Sequence, residues 1–170
     1  MGFFSKMKRL AIIRHAKSSW ADQHSSDHER PLNARGERDT QTMSTWLLEK
    51  ELVPDRVYCS TALRTRKTAQ RVFSAFKSAI PIEYEDQLYA ASLDQLVRFV
   101  QSIPEGIETA AIVSHNPGLT QLCNFYTEDD LGNLPTLGIY VVDFDVDHWQ
   151  AADYAVGVRA LFATPKMLSG

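Results

Sequence analysis

Two predicted strands in this sequence are each followed by a histidine, and an arginine precedes the first of these histidines. The apolar run Leu10–Ile13 predicts a buried strand, and Arg14 and His15 follow it directly. A second apolar run, 110–113, predicts another buried strand and ends two residues before His115. Guanidinium groups bind phosphate oxygens through paired hydrogen bonds, and a neutral imidazole can attack phosphorus. These strand ends therefore predict phosphoryl chemistry.

A third predicted strand, 56–59, is followed directly by Ser60. Arg64 lies one turn into the helix that comes next. The carboxyl ends of parallel strands share one edge of a sheet, so we expect these three strand ends to lie together. Helix N-termini at that edge would offer unpaired N–H groups to an anion. A histidine among such cations should have a lowered pKa and stay neutral, as a nucleophile requires.

Strands and helices alternate along the chain, and this order predicts the fold class. We expect an α/β protein: one three-layer α/β/α domain over residues 1–170, with a mostly parallel central sheet and an antiparallel edge. Pro81 places the strand 80–84 towards the edge of the sheet. The segments Gly138–Phe144 and Trp149–Tyr154 are predicted to form an antiparallel hairpin.

Polar residues predict where the helices begin. Asn33 is a candidate cap for the first helix, Ser60 or Thr61 for the second, and Ser92 begins a capping box for the third. A further helix is predicted to begin with Asn116 as its cap and proline at its first position.

The composition is that of an ordinary soluble protein, with 44% apolar residues and a net charge of −3. This charge argues against a nucleic-acid partner, and the absence of a long apolar run argues against a membrane segment. Two isolated cysteines and the absence of a secretory or myristoylation signal near the N-terminus predict a cytoplasmic protein with reduced thiols. The sequence leaves the oligomeric state open.

Four blocks, in the same order and with the same spacing, resemble the motifs of the histidine phosphatase (phosphoglycerate-mutase-like) superfamily. They are Arg14-His15-Ala16, Arg30-Pro31-Leu32-Asn33 with Gly36, the segment 60–69, and the segment 113–116. The short chain and the continuation His15-Ala16-Lys17-Ser18 look most like the small SixA-type phosphohistidine phosphatases. The resemblance implies a phosphoglycerate-mutase-like fold and a phosphatase that needs neither cofactor nor metal.

The same resemblance implies a role for each matching residue. His15 would take the phosphoryl group, and Arg14 and Arg64 would clamp its oxygens. His115 would donate a hydrogen bond to the transferring group, and Arg30 would complete the binding pocket.

Two positions near these motifs bear on the chemistry. Asp27 stands where SixA-type proteins have an acidic residue, and it could orient a basic group or supply a proton. Ala16 replaces the usual glycine, which is tolerable if its φ is negative.

The substrate prediction depends on a missing acid. Alignment on the family's leucine puts Ala90 where ester-cleaving relatives carry a glutamate proton donor, although Glu85 or Asp86 could still point inward. A phosphoramidate needs that acid less than an ester does, and the short segment before the next helix encodes no sizeable lid. We therefore expect phosphohistidine on a protein as substrate, with a small phosphate monoester as the alternative.

Other functions fit the sequence less well. A non-catalytic phospho-ligand binding module would keep the arginines but does not need both histidines. A cysteine-dependent phosphatase needs five residues between cysteine and arginine, whereas four separate Cys59 from Arg64. His24 and His28, with nearby aspartates, lie in a loop whose spacing is not that of metal ligands, so we do not expect a metal site there. The basic segment around Arg66 could attract an acidic partner.

Overall fold

The computed structural model describes residues 7–169. Residues 1–6, on which the prediction about N-terminal signals depends, lie outside the described residues. The strands, in chain order, are β1 Lys8–Arg14, β2 Arg56–Ser60, β3 Ile82–Glu85, β4 Thr109–Ser114, β5 Ile139–Phe144 and β6 Gly157–Ala163. The helices are α1 Ala34–Glu49, α2 Leu63–Phe73, α3 Leu93–Gln101, α4 Gly118–Thr127 and α5 Pro165–Leu168, with short 3₁₀ helices at Asp27–Glu29, Asp86–Leu88 and Trp149–Ala151.

The six strands form one sheet in the order β3-β2-β4-β1-β5-β6. The first four strands are parallel to one another, and β5 and β6 add an antiparallel edge, which confirms the predicted α/β fold class. Arg14 pairs with Ser114 at the ends of β1 and β4, so these two strands finish level. Residues that follow β1, β2 and β4 therefore emerge at one edge of the sheet.

Helices cover both faces of the sheet, which gives the three predicted layers. Met43 of α1 and Val72 of α2 pack on one face against alternate β1 residues such as Ile13. Leu96 of α3 and Leu119 of α4 pack on the other face. Both faces of the central strands are buried because a parallel sheet is covered by its crossover helices. Within residues 7–169, no helix has the length and apolar character needed to cross a membrane.

The predicted helix starts are correct in two cases. The Asn33 side chain accepts a hydrogen bond from the Gly36 amide at the start of α1. Ser92 and Gln95 form the predicted capping box at the start of α3. Asn116 acts differently from the prediction: α4 begins at Gly118, with proline at the cap position, yet the Asn116 side chain still accepts from the Thr120 amide.

The predicted cap of α2 is wrong. Ala62 occupies the cap position, and no side chain caps this helix. The two hydroxyls expected to do so have other partners: Ser60 Oγ lies 2.7 Å from His115 Nε2, and Thr61 Oγ1 donates to Asp86. The hydroxyls at the end of β2 thus connect to neighbouring strand ends.

The second strand of the predicted edge hairpin is also misplaced. The segment 149–154 is not a strand, and the partner of β5 is β6, which begins at Gly157. Trp149 is fully buried, and its indole N–H donates to the Ile107 carbonyl, so this segment turns into the core. Its large apolar side chain indicates burial in either conformation, which is why the pattern alone did not distinguish them.

Candidate active site

A pocket of about 380 Å³ lies at the edge where β1, β2 and β4 end. Every residue that was proposed for the site from the sequence lines this pocket, and several further residues line it as well. The predicted residues are Arg14, His15, Asp27, Arg30, Arg64 and His115, and the others discussed below are Ser18, Trp20 and Tyr89.

His15 is the residue directly after β1, and its side chain is nearly buried, with 7% exposure. Its Nδ1 lies 2.8 Å from the Ala16 carbonyl oxygen, which can only accept, so Nδ1 carries the proton and Nε2 keeps its lone pair. Burial lowers the pKa of His15 to about 4, and Arg64 and the other arginines contribute less than burial does. The direction of this pKa shift is as predicted from the sequence, but its main cause is burial and not the neighbouring cations. A neutral His15 with an available Nε2 can act as a nucleophile.

The backbone after His15 is held in place without glycine. Ala16 is buried and is not among the described residues with positive φ, which is the condition for alanine to replace glycine at this position. Its amide donates to the Thr68 hydroxyl in α2. This bond ties the segment that carries His15 to the helix that carries Arg64.

His115 follows β4 and faces His15, with 5.4 Å between the ring centroids. Its Nδ1 lies 3.3 Å from Nη2 of Arg64, which can only donate, so Nδ1 accepts and Nε2–H donates to Ser60 Oγ. Burial, with smaller effects from His15 and Arg64, lowers the pKa of His115 to about 3. His115 is therefore neutral near pH 7.

Arg14 and Arg64 each leave one buried N–H group without a partner. Nη1 of Arg14 donates to the Leu134 carbonyl, and Nη1 of Arg64 donates to the Asp27 carbonyl. The Nε atoms of both arginines are buried and have no hydrogen-bond partner among the described residues. Burial also lowers the pKa of Arg14. Both arginines line the pocket, and buried donors are nearly always satisfied, so these two N–H groups are candidates to donate to an acceptor bound there, such as an oxyanion.

Arg30 forms the third cationic wall of the pocket. Its Nη1 donates to Ser18 Oγ at 2.7 Å, and its Nε donates to Oδ1 of Asp27 at 3.2 Å. One face of the guanidinium is covered by Trp20, whose ring centroid lies 3.5 Å from the Arg30 Cζ atom. Arg30 is thus fixed on three sides while it lines the pocket.

Asp27 connects the arginines to Tyr89. Oδ2 accepts from Arg64 Nη2 at 3.1 Å and from the Tyr89 hydroxyl at 2.6 Å, while Oδ1 accepts from Arg30. The Tyr89 hydrogen bond, followed by the charge of Arg64, lowers the pKa of Asp27 to about 2. Near neutral pH this side chain is a carboxylate, so it can orient a cationic group but has no proton to supply.

The other candidate acids do not reach the pocket. Asp86 accepts from Thr61, Glu85 accepts from Gln87, and neither carboxylate lines the cavity. Ala90 does line it, so the position at which the sequence comparison placed the glutamate of ester-cleaving relatives holds a methyl group. Among the described residues, Asp27 is the carboxylate that this pocket contains.

Metal-binding and thiol chemistry receive no support from the geometry. Within residues 7–169, no three histidine, cysteine or acidic side chains come together in a way that could hold a metal ion. His28 instead contacts Glu29, Thr61 and the ring of Tyr89. Burial raises the pKa of the Cys59 thiol to about 12, so it is not a thiolate nucleophile.

Tyr89 was not identified from the sequence, although a usable signal was present. It directly precedes Ala90, the position where the family's proton donor was sought. Its ring meets the rings of His28 and His115 edge-on, and it lines the pocket beside Asp27.

Comparison with known proteins shows the family of this chain. Residues 10–96 match the model of the histidine phosphatase superfamily (branch 1). The protein ML1117 of Mycobacterium leprae is 30% identical over 166 residues, which cover 91% of this chain and 100% of that protein.

Solved structures show the same fold over nearly the whole chain. A protein from Agrobacterium tumefaciens assigned as a phosphohistidine phosphatase SixA superposes with a TM-score of 0.81 and 26% identity, covering 93% of this chain and 98% of that one. A phosphoglycerate mutase from Bacillus anthracis shares the fold, with a TM-score of 0.71, 13% identity and coverage of 95% and 94%. With its sequence motifs, its fold and the matching family model, this chain belongs to the histidine phosphatase superfamily.

Proposed function

We propose that this protein is a phosphohydrolase that removes phosphate from phosphohistidine on a protein, through a phosphorylated His15. The observation that carries the proposal is the state of the pocket as residues 7–169 form it: a neutral imidazole stands beside guanidinium N–H groups that have no partner there, and the one carboxylate that lines the pocket is ionised. This combination suits transfer of a phosphoryl group from a leaving group that needs no proton from the enzyme.

In the first step, Nε2 of His15 attacks phosphorus in line, and the bond between phosphorus and the substrate's imidazole nitrogen breaks. The bonding electron pair goes to that nitrogen. When the other ring nitrogen of the substrate already carries a proton, a neutral imidazole leaves. Arg14, Arg30 and Arg64 would stabilise the equatorial oxygens, which is where catalysis of phosphoryl transfer mostly lies.

In the second step, water attacks phosphorus and the bond to His15 breaks. Because Nδ1–H remains bonded to the Ala16 carbonyl, phosphorylated His15 is itself a cationic ring and a good leaving group. The water's proton departs with phosphate or to solvent. His115 would donate to a phosphoryl oxygen only after Nδ1 gains a proton, and the negative charge of the bound group favours that protonation.

Asp27 supports an N-linked substrate over an ester. Its carboxylate is half exposed to the pocket mouth, with 49% exposure of the side chain, and can accept a hydrogen bond from the N–H of a substrate imidazolium. That contact would favour the reactive, protonated form of phosphohistidine. The same charge would repel an alkoxide leaving group, which in addition lacks a proton donor here. The likeness to the SixA-type protein supports the same substrate class.

The test compares wild-type protein with His15→Asn on a phosphohistidine protein, on phosphoramidate and on simple alkyl phosphates. We expect phosphate release from the two P–N substrates and an acid-labile, alkali-stable phosphoenzyme, both lost in His15→Asn. A preference for alkyl phosphates would overturn the substrate assignment. Tight binding of phosphate compounds without turnover would identify a binding module instead, and turnover by His15→Asn would rule out the mechanism.

A further inference from the structure

Among the described residues, the Tyr89 hydroxyl is the nearest side-chain donor to the carboxylate of Asp27. It donates to Oδ2 at 2.6 Å, whereas the Arg64 and Arg30 nitrogens lie 3.1 Å and 3.2 Å from the carboxylate oxygens. A short bond from a hydroxyl to a carboxylate is charge-assisted and therefore strong. The same bond is the largest cause of the lowered pKa of Asp27, so it stabilises the ionised form.

The hydroxyl of Tyr89 reaches Asp27 from a supported ring. The preceding residue, Leu88, is fully buried in the core, and the Tyr89 amide closes a 3₁₀ turn. The ring meets the rings of His28 and His115 edge-on, with centroid distances of 4.9 Å and 5.4 Å. Asp27 is less restrained by its own surroundings, since 49% of its side chain is exposed. Tyr89 can therefore fix the position of Asp27.

The three donors to Asp27 differ in what a bound phosphoryl group does to them. Arg30 and Arg64 are guanidinium groups that line the pocket, and an oxyanion competes with the carboxylate for their N–H groups. Tyr89 is uncharged, and its single O–H group is already bonded to Oδ2. The bond from Tyr89 is thus the contact of Asp27 that anion binding weakens least.

We propose that Tyr89 is a positioning residue that holds Asp27 against the leaving group while the arginines bind the phosphoryl group. The inference rests on the proposed function and deepens it. In the first step Asp27 accepts from the N–H of the substrate's ring, and a carboxylate that is already in place needs no reorganisation as the P–N bond breaks. In the second step the ring has departed. Tyr89 should therefore matter for phosphorylation of His15 and not for hydrolysis of the phosphoenzyme.

The test is Tyr89→Phe, which removes the hydroxyl and keeps the ring. Rapid-quench measurements with free phosphohistidine give two separate rates, phosphorylation of His15 in a single turnover and hydrolysis of the phosphoenzyme. We expect phosphorylation to slow about tenfold, the scale of a hydrogen bond to a charged group, and hydrolysis to stay within about twofold of the wild type. Tyr154→Phe is the matched control, because it removes a hydroxyl that donates to the Glu128 carboxylate at 3.1 Å outside the pocket, and it should change neither rate.

A double-mutant cycle with Asp27→Ala tests whether Tyr89 acts through Asp27. In that background Tyr89→Phe should slow phosphorylation no further, because no carboxylate remains to be held. The same loss in both backgrounds would overturn the inference, and so would an equal loss in both steps, because either result would show that Tyr89 supports the pocket as a whole.

An unchanged phosphorylation rate in Tyr89→Phe would also overturn the inference. The proposed function would stand after any of these results, since each one requires a phosphoenzyme on His15. A wild-type protein that forms no such phosphoenzyme would instead overturn the proposed function, and the role of Tyr89 with it.

Discussion

Oδ2 of Asp27 lies 3.1 Å from Nη2 of Arg64, so a carboxylate occupies part of the cationic wall that an oxyanion would meet. The side chain of Arg64 is buried, with 6% exposure, so solvent does little to stabilise its positive charge. The negative charge of Asp27 is therefore important for Arg64 in the unliganded site. A phosphoryl group that enters the pocket competes with Asp27 for Arg64. Asp27 would thus have two effects of opposite sign: it would weaken anion binding, and it would favour the protonated ring of the substrate, which then departs as a neutral imidazole.

Asp27→Asn separates these two effects because asparagine keeps the shape and removes the charge. We expect inorganic phosphate or vanadate to bind about tenfold more tightly, because an opposing charge close to the anion is gone. We expect turnover of phosphoramidate to fall by about 10-fold to 100-fold, since the carboxylate no longer favours the protonated leaving group. Calorimetric titration and steady-state kinetics measure the two changes.

Glu29→Gln is the matched control for this variant. Glu29 is two residues away and exposed, and its contact is with His28 rather than with the arginines. It should change neither phosphate binding nor turnover by more than about twofold. Weaker binding of phosphate to Asp27→Asn would show that the carboxylate organises the arginines rather than competing with the anion.

The two histidines that line the pocket, His15 and His115, should make the protein less stable in acid. The folded-state pKa values are about 4 for His15 and about 3 for His115, below the 6.5 of an unperturbed histidine. Between these values and 6.5 the unfolded chain binds protons that the folded protein does not. The stability that the histidines contribute is therefore fully present above pH 6.5 and is lost as the pH falls from there towards 4.

His115→Gln should reduce this pH dependence. We expect the free energy of unfolding to fall less steeply between pH 6 and pH 4.5 in the variant than in the wild type, with roughly half the slope if both histidines contribute equally. Urea titrations at several pH values measure the slope. Identical slopes would mean that His115 is protonated in the folded protein over this range.

Gly36 tests the contact between α1 and the loop that carries the site residues. A Cβ atom at this position would overlap the Lys17 carbonyl oxygen, which also accepts from the Asn33 amide. We expect Gly36→Ala to lower the free energy of unfolding by about 1–3 kcal/mol, the usual range for overpacking, and to reduce activity. Gly106→Ala is the control, because nothing lies within 4 Å of its added Cβ, and it should be neutral. Equal thermal midpoints for the two variants would contradict this interpretation.

Cys59→Ala tests whether thiol chemistry takes part. The thiol is buried in the core beneath the site, and burial raises its pKa to about 12. We expect the variant to keep turnover and phosphoenzyme formation, with a modest loss of thermal stability from the small cavity. Iodoacetamide should leave the wild-type rate unchanged. Loss of the phosphoenzyme in the variant would return a cysteine nucleophile to consideration.

The order of strands and helices, and the strand ends that carry Arg14, His15 and His115, could be read from the sequence alone. Buried parallel strands are short apolar runs, and the carboxyl ends of such strands must meet at one edge. The Asn33 cap and the Ser92 capping box were also predictable, because their partners lie three residues away. Contacts between residues so close in the sequence can be predicted without knowledge of the tertiary structure.

What the tertiary structure decided is how distant side chains meet in the pocket. Tyr89 donates to Asp27 across 62 residues, and Trp20 covers Arg30 from a loop that has no periodic pattern. The main cause of the low pKa of His15 is burial, whereas sequence reasoning had emphasised neighbouring charge. Loop paths and the depth of a side chain depend on the packing of the whole chain, so their consequences for charge and contact appear only once the layers are assembled.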